Sequence, residues 1–345
     1  MHHIMKVAVI ALVTMLGLQV TLFAQTDTLR VVNYNVLHGP SGSQEINDFS
    51  NIMQAIGSQN YNGITRAVDV LSLQETSNSS ITAARNALNS VYGSGTYGSY
   101  ITPQGKSGLW NGVIYNTQTL NLLSSTQITS SQLTRNVARV HFDPINSVSN
   151  DDFYLYSMHL KAGNSSSDRS RRNDEVNVIR SNADALGSDA NVIFSGDFNV
   201  YRSSEAAYQR FLSSGNAKAN DPINRPGNWH DNNSFSDIHT QDPSNTMDDR
   251  FDFQLLTDEF FDGEGIDYIQ DSYRAFGNID SHTFNNTILT GYSPSHPFYD
   301  VAESLFNFSD HLPVIADYSI EIPEPGTMLA LLLPSIGLVI RRQRI

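Results

Sequence analysis

Alternation of apolar and polar residues predicts two β-strands in the first quarter of the chain. Residues 29–36 alternate, so every second side chain points to the same face of a strand. That inward row consists of Leu29, Val31, Asn33 and Asn35. Residues 68–75 form a second run, in which Leu71, Leu73 and Glu75 share a face. Both runs therefore end in a polar side chain on the predicted inward face.

Two further strands and a helix are predicted in the middle of the chain. Residues 153–160 form a third β-like run, and residues 192–194 are continuously apolar, which is typical of a strand buried on both faces. Between them, apolar residues recur at helical spacing at Val176, Ile179, Ala183 and Leu186. The polar stretch 213–249 is predicted to be a long loop. Alternating strands and helices favour an α/β (α+β) fold with a helix covering the sheet.

Composition places this chain among globular proteins. Its 345 residues are 39% hydrophobic and 16% charged, which excludes a disordered chain, a coiled coil and a polytopic membrane protein. The absence of cysteine excludes disulfides, thiolate metal sites and a cysteine nucleophile. The net charge of −14 offers no basic surface for nucleic acid, so a polyanionic substrate would need local cations. Residues 25–322 show no repeat and no proline-rich linker, which predicts one domain.

Residues 1–24 have the layout of a secretory signal peptide. The basic residue Lys6 precedes an apolar run at 7–18, and the small residue Ala24 closes the segment. The run is shorter than the ~20 residues that a membrane-spanning helix needs. A first buried strand or an uncleaved anchor helix is the alternative interpretation. We expect the protein to be exported.

Residues 323–345 combine three features in a fixed order. A Pro-Glu-Pro motif at 323–325 is followed by an apolar run at 328–340 and by three arginines near the end of the chain. This tail resembles the PEP-CTERM sorting signal of Gram-negative bacteria. The resemblance implies an exosortase-type processing enzyme as a partner, a transient membrane contact through the apolar helix, and an extracellular or cell-surface location. A terminal amphipathic helix of the domain is the alternative.

Polar residues that can carry chemistry stand beside the later predicted strands. Asp197 and Asn199 directly follow the buried apolar run, a pattern that an Asx-type turn also produces. Asp252 begins an apolar run, so its carboxylate would enter the sheet and need a partner. Asp310 and His311 precede a last β-like run, and a histidine would serve as that partner.

The order of these polar residues resembles the endonuclease/exonuclease/phosphatase superfamily, which includes deoxyribonucleases, abasic-site endonucleases, sphingomyelinases and inositol-polyphosphate phosphatases. The resemblance extends from Leu29 to Ile320. It rests on Asn35, Glu75, His159, Asp197, Asn199, Asp252, Asp310 and His311. The fold that it implies is a four-layer sandwich, with two packed mixed β-sheets flanked by helices.

The resemblance also implies a metal site. Glu75 resembles the principal metal-binding glutamate of the family, Asn35 the asparagine beside it, and Asp310 a further candidate ligand. Carboxylate and amide oxygens suit hard cations, so Mg²⁺ is expected, with Ca²⁺ or Mn²⁺ as alternatives. A structural salt bridge is the alternative role for Glu75.

The catalytic roles that the resemblance implies fall on five residues. Asp197 resembles the aspartate that orients or deprotonates the attacking water, and Asn199 resembles a phosphate or metal-shell contact. His311 resembles the histidine that donates to the phosphate, and Asp252 the aspartate that raises its pKa. His159 resembles a second histidine of deoxyribonuclease-like members, although a packed strand-end histidine is the alternative.

The cations near the predicted site each have two interpretations. Arg135 stands where many family members have a phosphate-facing arginine, but it could equally be a surface charge. A basic group follows the strand that ends at His159, and it could guide a phosphate or form a solvated helix start. It consists of Lys161, Arg169, Arg171 and Arg172.

These expectations describe an exported, metal-dependent phosphodiesterase, with a nuclease acting on extracellular DNA or RNA as the leading hypothesis. The alternatives within the fold are a sphingomyelinase-like phospholipase C and a small-molecule phosphoesterase. An inactive, surface-displayed binding module is the alternative from another class. The groove-inserting arginine of the family is absent, because Thr76 and Ser77 follow Glu75. The oligomeric state is left open, with a monomer favoured.

Overall fold

Two β-sheets packed face to face form the centre of the protein. The computed structural model describes residues 25–103, 110–147, 151–279 and 284–323. In these ranges the strands are β1 Gln25–Asn35, β2 Val70–Thr76, β3 Tyr97–Ile101, β4 Trp110–Asn116, β5 Leu120–Ile128, β6 Val137–Pro144, β7 Phe153–His159, β8 Asn191–Asp197, β9 Ala219–Asn220, β10 Asp252–Thr257, β11 Asp267–Tyr268, β12 Arg274–Ala275 and β13 Val314–Ile322.

Five α-helices flank the sheets within the same ranges. They are α1 Ser43–Ser58, α2 Asn78–Tyr92, α3 Ser166–Asp184, α4 Ala206–Leu212 and α5 Tyr299–Phe308. Short 3₁₀ segments occur at Asn233–Ile238, Asp258–Phe261 and Ile288–Gly291. The predicted helix around Val176 is α3, which begins with a capping box between Ser165 and Asp168.

Both sheets are mixed. The first has the strand order β11-β13-β1-β2-β4-β3, with β12 paired to β13, and β1 runs parallel to β2. The second has the order β5-β6-β7-β8-β10-β9, with β7 parallel to β8 and β10 antiparallel to β8. The central strands of each sheet are therefore the ones whose ends carry the predicted site residues.

Three apolar layers hold the four structural layers together. One layer lies between the sheets and includes Leu29, Val31 and Ile193. A second joins the first sheet to α1, α2 and α5, and a third joins the second sheet to α3 and α4. This arrangement confirms the predicted sandwich of two packed mixed sheets flanked by helices. It also confirms the strand that was predicted to be buried on both faces, because every residue of β8 is buried.

The alternation in β1 is confirmed, but the facing of β2 differs from the prediction. Leu71 and Leu73 pack toward the helices rather than toward the other sheet. A register shift between Leu73 and Thr76 interrupts the pairing of β2 with β4, and Glu75 has a left-handed φ of 52°. This irregularity turns Glu75 away from the leucine face and toward Asn35. Strict alternation could not have predicted that turn.

The polar stretch 213–249 is largely irregular, as predicted, but it is anchored at buried points. Trp229 is fully buried against Tyr208 and Phe253. At the end of the stretch, Arg250 forms a bidentate ion pair with Asp221 at 2.7 and 2.8 Å. The loop is thus fixed to the second sheet by packing and by a buried ion pair.

The two predicted sorting segments, residues 1–24 and 323–345, lie outside the described residues except for Pro323. Residues Thr26–Pro323 pack as one compact unit. No helix within the described ranges has both the length and the apolar character needed to cross a membrane.

A buried ion pair in the first sheet gives a test of stability. Arg30 binds Asp317 through two hydrogen bonds of 2.6 and 2.8 Å, and neither side chain is exposed. We expect Asp317→Asn to lower the free energy of unfolding by about 3–5 kcal/mol, because the buried guanidinium loses its countercharge. Lys218→Gln, at the exposed pair with Asp258, should cost less than about 1 kcal/mol. Urea denaturation of the three proteins measures both values, and equal costs would contradict the prediction.

Candidate active site

The interface between the sheets becomes polar toward one edge. Ser195 donates a hydrogen bond to Asn33 across the interface at 3.1 Å. Gln74 donates to Ser157, which in turn donates to the carbonyl of Leu73 at 3.0 Å. These bonds tie the two sheets together just before their strands end. The side chains beyond them therefore have a fixed frame to project from.

Five of the predicted site residues lie at this edge, one on each of five strands. Asn35 ends β1, Glu75 lies at the end of β2, His159 ends β7, Asp197 ends β8 and Asp252 begins β10. The register places His159 and Asp252 on either side of Asp197, since β7 runs parallel and β10 antiparallel to β8. The carboxyl ends of parallel strands meet at one edge, so sheet pairing itself gathers these groups.

The carboxylate of Asp197 is the centre of the cluster. Its Oδ2 lies 3.1 Å from Nδ2 of Asn35, 3.3 Å from Nε2 of His159 and 3.7 Å from Nε2 of His311. Its Oδ1 accepts a hydrogen bond of 3.0 Å from the backbone N–H of Asn199. Asp197 is only 2% exposed. Two histidines and two amides thus converge on one buried carboxylate.

Local backbone geometry explains why glycine and asparagine flank Asp197. A Cβ on Gly196 would lie 1.9 Å from the carbonyl oxygen of Met158, so only glycine allows β7 and β8 to approach this closely. Asn199 adopts a left-handed φ of 51°, which asparagine tolerates better than most residues. Its side-chain amide donates to the carbonyl of Leu160 at 3.4 Å. Asn199 therefore fixes the loop after β8 in this arrangement.

His311 and Asp252 form the pair that the sequence predicted. Nδ1 of His311 lies 2.7 Å from Oδ2 of Asp252, which is fully buried. Thr240, which the sequence analysis did not identify, donates to the same Oδ2 at 2.7 Å. The backbone N–H of His311 is also held, because it donates to Ser309 at 3.1 Å. The imidazole ring is thus fixed with Nε2 toward Asp197.

Electrostatics set the two histidines apart. Burial alone would lower the pKa of His311, but the carboxylates of Asp252, Asp197 and Asp310 outweigh it and raise that pKa to about 10. Burial, together with the charges of Arg135 and His311, holds the pKa of His159 well below its ordinary value. His311 is therefore charged at neutral pH, whereas His159 is neutral.

The pKa of Asp197 is raised from its ordinary value. Burial is the main cause, and the carboxylates of Asp252 and Glu75 add to it. His311 and Arg135 oppose the shift because they favour the charged carboxylate. A carboxylate with a raised pKa is a better proton acceptor than an ordinary aspartate.

The predicted metal ligands lie on the open side of the cluster. The side chain of Glu75 is 16% exposed and that of Asp310 is 35% exposed. Oδ1 of Asp310 is buried and has no hydrogen-bond partner among the described residues, and it lies 3.9 Å from Nε2 of His311. A carboxylate oxygen without a partner at such a place suits a hard cation. The donor set therefore fits a divalent metal ion.

Asn35 lies between two carboxylates of the cluster. Its Nδ2 lies 3.3 Å from Oε1 of Glu75 and also donates to Asp197, while its Oδ1 accepts from the backbone N–H of Leu37 at 3.2 Å. In this arrangement the amide nitrogen, rather than the oxygen, faces the two carboxylates. Asn35 thus holds Glu75 and Asp197 in place.

A second group of metal-type ligands lies nearby and was not predicted. His230, Asp248 and Asp249 each offer a ligand atom within 4.8 Å of the others. Nδ1 of His230 lies 2.9 Å from Oδ1 of Asp249. The sequence analysis did not identify His230, since residues in an irregular loop give no periodic signal.

Arg135 is not a free surface charge. It is partly buried, and its Nη1 donates to the carbonyl of Leu160 at 3.0 Å. Burial lowers the pKa of its guanidinium, while the carboxylates of Asp197 and Glu75 act against that shift. The structure thus places the Arg135 guanidinium beside the cluster, at a position from which it can contact a phosphate.

The loop after β1 adds exposed groups that the sequence analysis missed. Leu37 and His38 both have a left-handed φ, of 42° and 68°. The ring of His38 is largely exposed, and its Nε2 lies 3.7 Å from Oε2 of Glu75. Two consecutive non-glycine residues in this conformation indicate a backbone held under strain beside the site. Their position two and three residues after Asn35 was the signal that could have identified them.

The basic group after β7 is only partly available. Arg172 is fully buried and pairs with Glu205 at 2.8 Å, and Lys161 pairs with Asp168 at 2.9 Å. Arg171 donates to the carbonyl of Ser131. The expectation of one solvated basic cluster is therefore wrong for Arg172, because burial requires it to be paired.

Comparisons with known proteins agree with this geometry. The model of the Endonuclease/Exonuclease/phosphatase family matches residues 32–311. No curated protein matches the sequence.

Solved structures of several members share the fold. A mannosyl-6-phosphatase of Bacteroides thetaiotaomicron is 14% identical, with a TM-score of 0.54 over 84% of this chain and 99% of that one. TDP2 of D. rerio with a single-strand DNA product is 17% identical, with a TM-score of 0.55 over 84% and 98%. The human Nocturnin catalytic domain is 16% identical, with a TM-score of 0.52 over 86% and 97%. At these identities the likeness shows the fold alone.

Enzymes of this family are generally dependent on a divalent metal ion. The family match spans most of the chain and both sheets that meet at the Asp197 cluster. The chain belongs to the endonuclease/exonuclease/phosphatase family, whose members are phosphoric ester hydrolases, and it is an enzyme of that class.

Proposed function

We propose that this enzyme is an exported nuclease that hydrolyses phosphodiester bonds of DNA or RNA with the help of Mg²⁺. The observation that carries the proposal is the convergence of Asn35, His159 and His311 on the buried carboxylate of Asp197. Phosphodiester hydrolysis needs an aimed water, a proton acceptor and a cation on the phosphate oxygens. The cluster offers the proton acceptor, Asp197, and a cation, charged His311, from its own side chains.

The roles follow from the protonation states. Asp197, with its raised pKa, accepts the proton of the attacking water. Charged His311 donates a hydrogen bond to a phosphoryl oxygen from Nε2, while Asp252 holds the ring and is itself held by Thr240. Neutral His159 and the partly buried Arg135 flank the same carboxylate. A divalent cation held by Glu75 and Asp310 would supply Lewis-acid stabilisation of the phosphate oxygens.

Two observations favour a nucleic acid over a lipid. A lipid-directed enzyme would want an exposed aromatic hairpin, but Tyr292 and Phe308 are buried in the helix-facing core. In the described part of the chain the exposed large apolar side chains are Leu37, Leu123 and Phe261. A structural neighbour solved with single-strand DNA product supports the nucleic-acid proposal, whereas the sugar-phosphatase neighbour supports a small-molecule alternative.

Export is proposed from the two terminal segments alone. Residues 1–24 have a signal-peptide layout, and residues 323–345 resemble a PEP-CTERM signal. On this proposal an exosortase-type enzyme processes the tail, and the domain acts at the cell surface or outside a Gram-negative cell. Fractionation of cells that express the full chain tests this, and retention of the whole protein in the cytoplasm would overturn it.

The substrate is tested by incubating the full chain with plasmid DNA, RNA and a chromogenic phosphodiester, each with Mg²⁺ or chelator. We expect metal-dependent cleavage of at least one polymer, and its loss in His311→Ala. Hydrolysis of the chromogenic ester alone would move the assignment to lipid or small phosphoesters. Silence on all three, without stabilisation by the metal, would favour a binding module.

The metal site is tested with Glu75→Gln, which removes one charge from the proposed ligand set. We expect at least ~100-fold lower turnover in Mg²⁺, because the cation loses its charged partner. Thermal unfolding gives a second readout, since a bound ion stabilises the folded state. Asp248→Asn, in the nearby ligand group, is the matched control. If that control loses the Mg²⁺-dependent stabilisation and Glu75→Gln retains it, the assignment of the site is wrong.

The His311–Asp252 pair is tested with Asp252→Asn. The pKa of His311 should fall, because its main countercharge is removed. Activity that needs charged His311 is lost as the pH rises through that pKa, so the alkaline limb of the pH–rate profile should move to lower pH. Turnover at neutral pH should fall by roughly 10²–10⁴. NMR titration of His311 in chelator checks the cause.

Asp152→Asn is the matched control for this variant, because Asp152 pairs with a different histidine, His141, at 2.6 Å. It should leave both the turnover and the pH profile as in the wild type. An Asp252→Asn enzyme with an unchanged alkaline limb would contradict the role given to the pair.

A further inference from the structure

A pocket of about 410 Å³ lies between the loops that leave β7 and β8. Its walls come from the first turns of α3 and from the segment that leads into α4. They are Arg169, Ser170, Asn173, Arg202, Ser204, Glu205 and Ala206. Both loops start at the strand ends that carry His159 and Asp197. The pocket therefore lies on the catalytic edge of the second sheet.

A buried ion pair locks the two loops together. Arg172 donates to the carbonyls of Lys161 and Gly163 in the first loop, at 2.7 and 2.6 Å. It also binds Oε2 of Glu205 in the second loop through two of its nitrogens. Oε1 of Glu205 accepts from the backbone N–H of Tyr201 at 2.9 Å. The pocket is thus built on a rigid floor, and the negative charge of Glu205 is neutralised.

The two arginines of the pocket have no carboxylate partner among the residues that the structure describes. Within the described ranges, the side chain of Arg202 makes no hydrogen bond or ion pair, and its Nε is buried without a partner. Arg169 donates only through Nη1, to the backbone carbonyl and the side chain of Asn164. The pocket therefore presents two uncompensated positive charges among hydroxyl and amide groups.

We propose that Arg169 and Arg202 form an accessory site for a phosphate of the substrate other than the one being cleaved. The proposal rests on the nuclease function proposed above and deepens it, because only a chain with several phosphates can occupy both sites. Arginine binds phosphate oxygens with two parallel N–H donors, and Ser204 and Asn173 can add neutral hydrogen bonds. The enzyme's substrate is accordingly a polynucleotide rather than a single phosphoester.

The test compares full-length wild type, Arg202→Gln and the double variant Arg169→Gln/Arg202→Gln. Binding of a fluorescent single-stranded 20-mer DNA is measured by anisotropy in chelator, so that no cleavage occurs. We expect about tenfold weaker binding for each arginine removed. The slope of log K against log salt should become shallower by about 0.7 for each arginine that no longer neutralises a phosphate. With Mg²⁺, oligonucleotide hydrolysis should fall by a larger factor than hydrolysis of a chromogenic phosphodiester.

Lys218→Gln is the matched control, since Lys218 lies beside the end of β10 that is remote from Asp252 and pairs with Asp258. It should bind the 20-mer as the wild type does. If Arg202→Gln binds the 20-mer with the wild-type affinity and salt slope, the accessory site is wrong, while cleavage of the 20-mer by that variant leaves the nuclease function standing. If the wild type hydrolyses the chromogenic ester but neither binds the 20-mer nor cleaves the 20-mer, plasmid DNA or RNA, the nuclease function fails and the accessory site with it.

Discussion

The buried carboxylate of Asp197 is the group on which the arrangement of the site depends. Taking a carboxylate out of water is costly unless donors surround it, and here Asn35, His159, His311 and the backbone of Asn199 do so. The same burial raises its pKa and thus gives it the character of a base. One physical constraint, desolvation of a charge, therefore explains both the hydrogen-bond network and its chemistry.

The fold supplies donors to this buried carboxylate by bringing strand ends of both sheets together at one edge. Parallel pairing aligns Asn35 with β2 and His159 with Asp197, and antiparallel β10 brings Asp252 beside them. The apolar layer between the sheets fixes their separation. Near the site, hydrogen bonds of Asn33 and Gln74 join the two sheets directly. The placement of Asn35, His159, Asp197 and Asp252 is thus a consequence of strand register, whereas His311 is supplied by the segment between α5 and β13.

The arginines of the core and the arginines near the catalytic edge differ in whether they have a carboxylate partner. Buried cations such as Arg30, Arg172 and Arg250 each have a carboxylate partner, which stabilises the folded state and leaves nothing for a ligand. Within the described ranges Arg202 has none, and Arg135 is held only by backbone carbonyls. Both lie by the ends of β7 and β8, where a phosphate can supply the missing countercharge. Local cations of this kind can allow an acidic protein to bind a polyanion.

Much of this protein is determined by its sequence. The alternation in residues 29–36 and the apolar run before Asp197 predict strands, and the family resemblance carried by the order of polar residues that ends at His311 implies the sandwich and the composition of the site. The first two signals are local, since periodicity reports which face of an element is buried. Tertiary structure alone decided the turn at Glu75, the burial of Arg172 and the hold of Thr240 on Asp252, because each depends on contacts between residues distant in the chain.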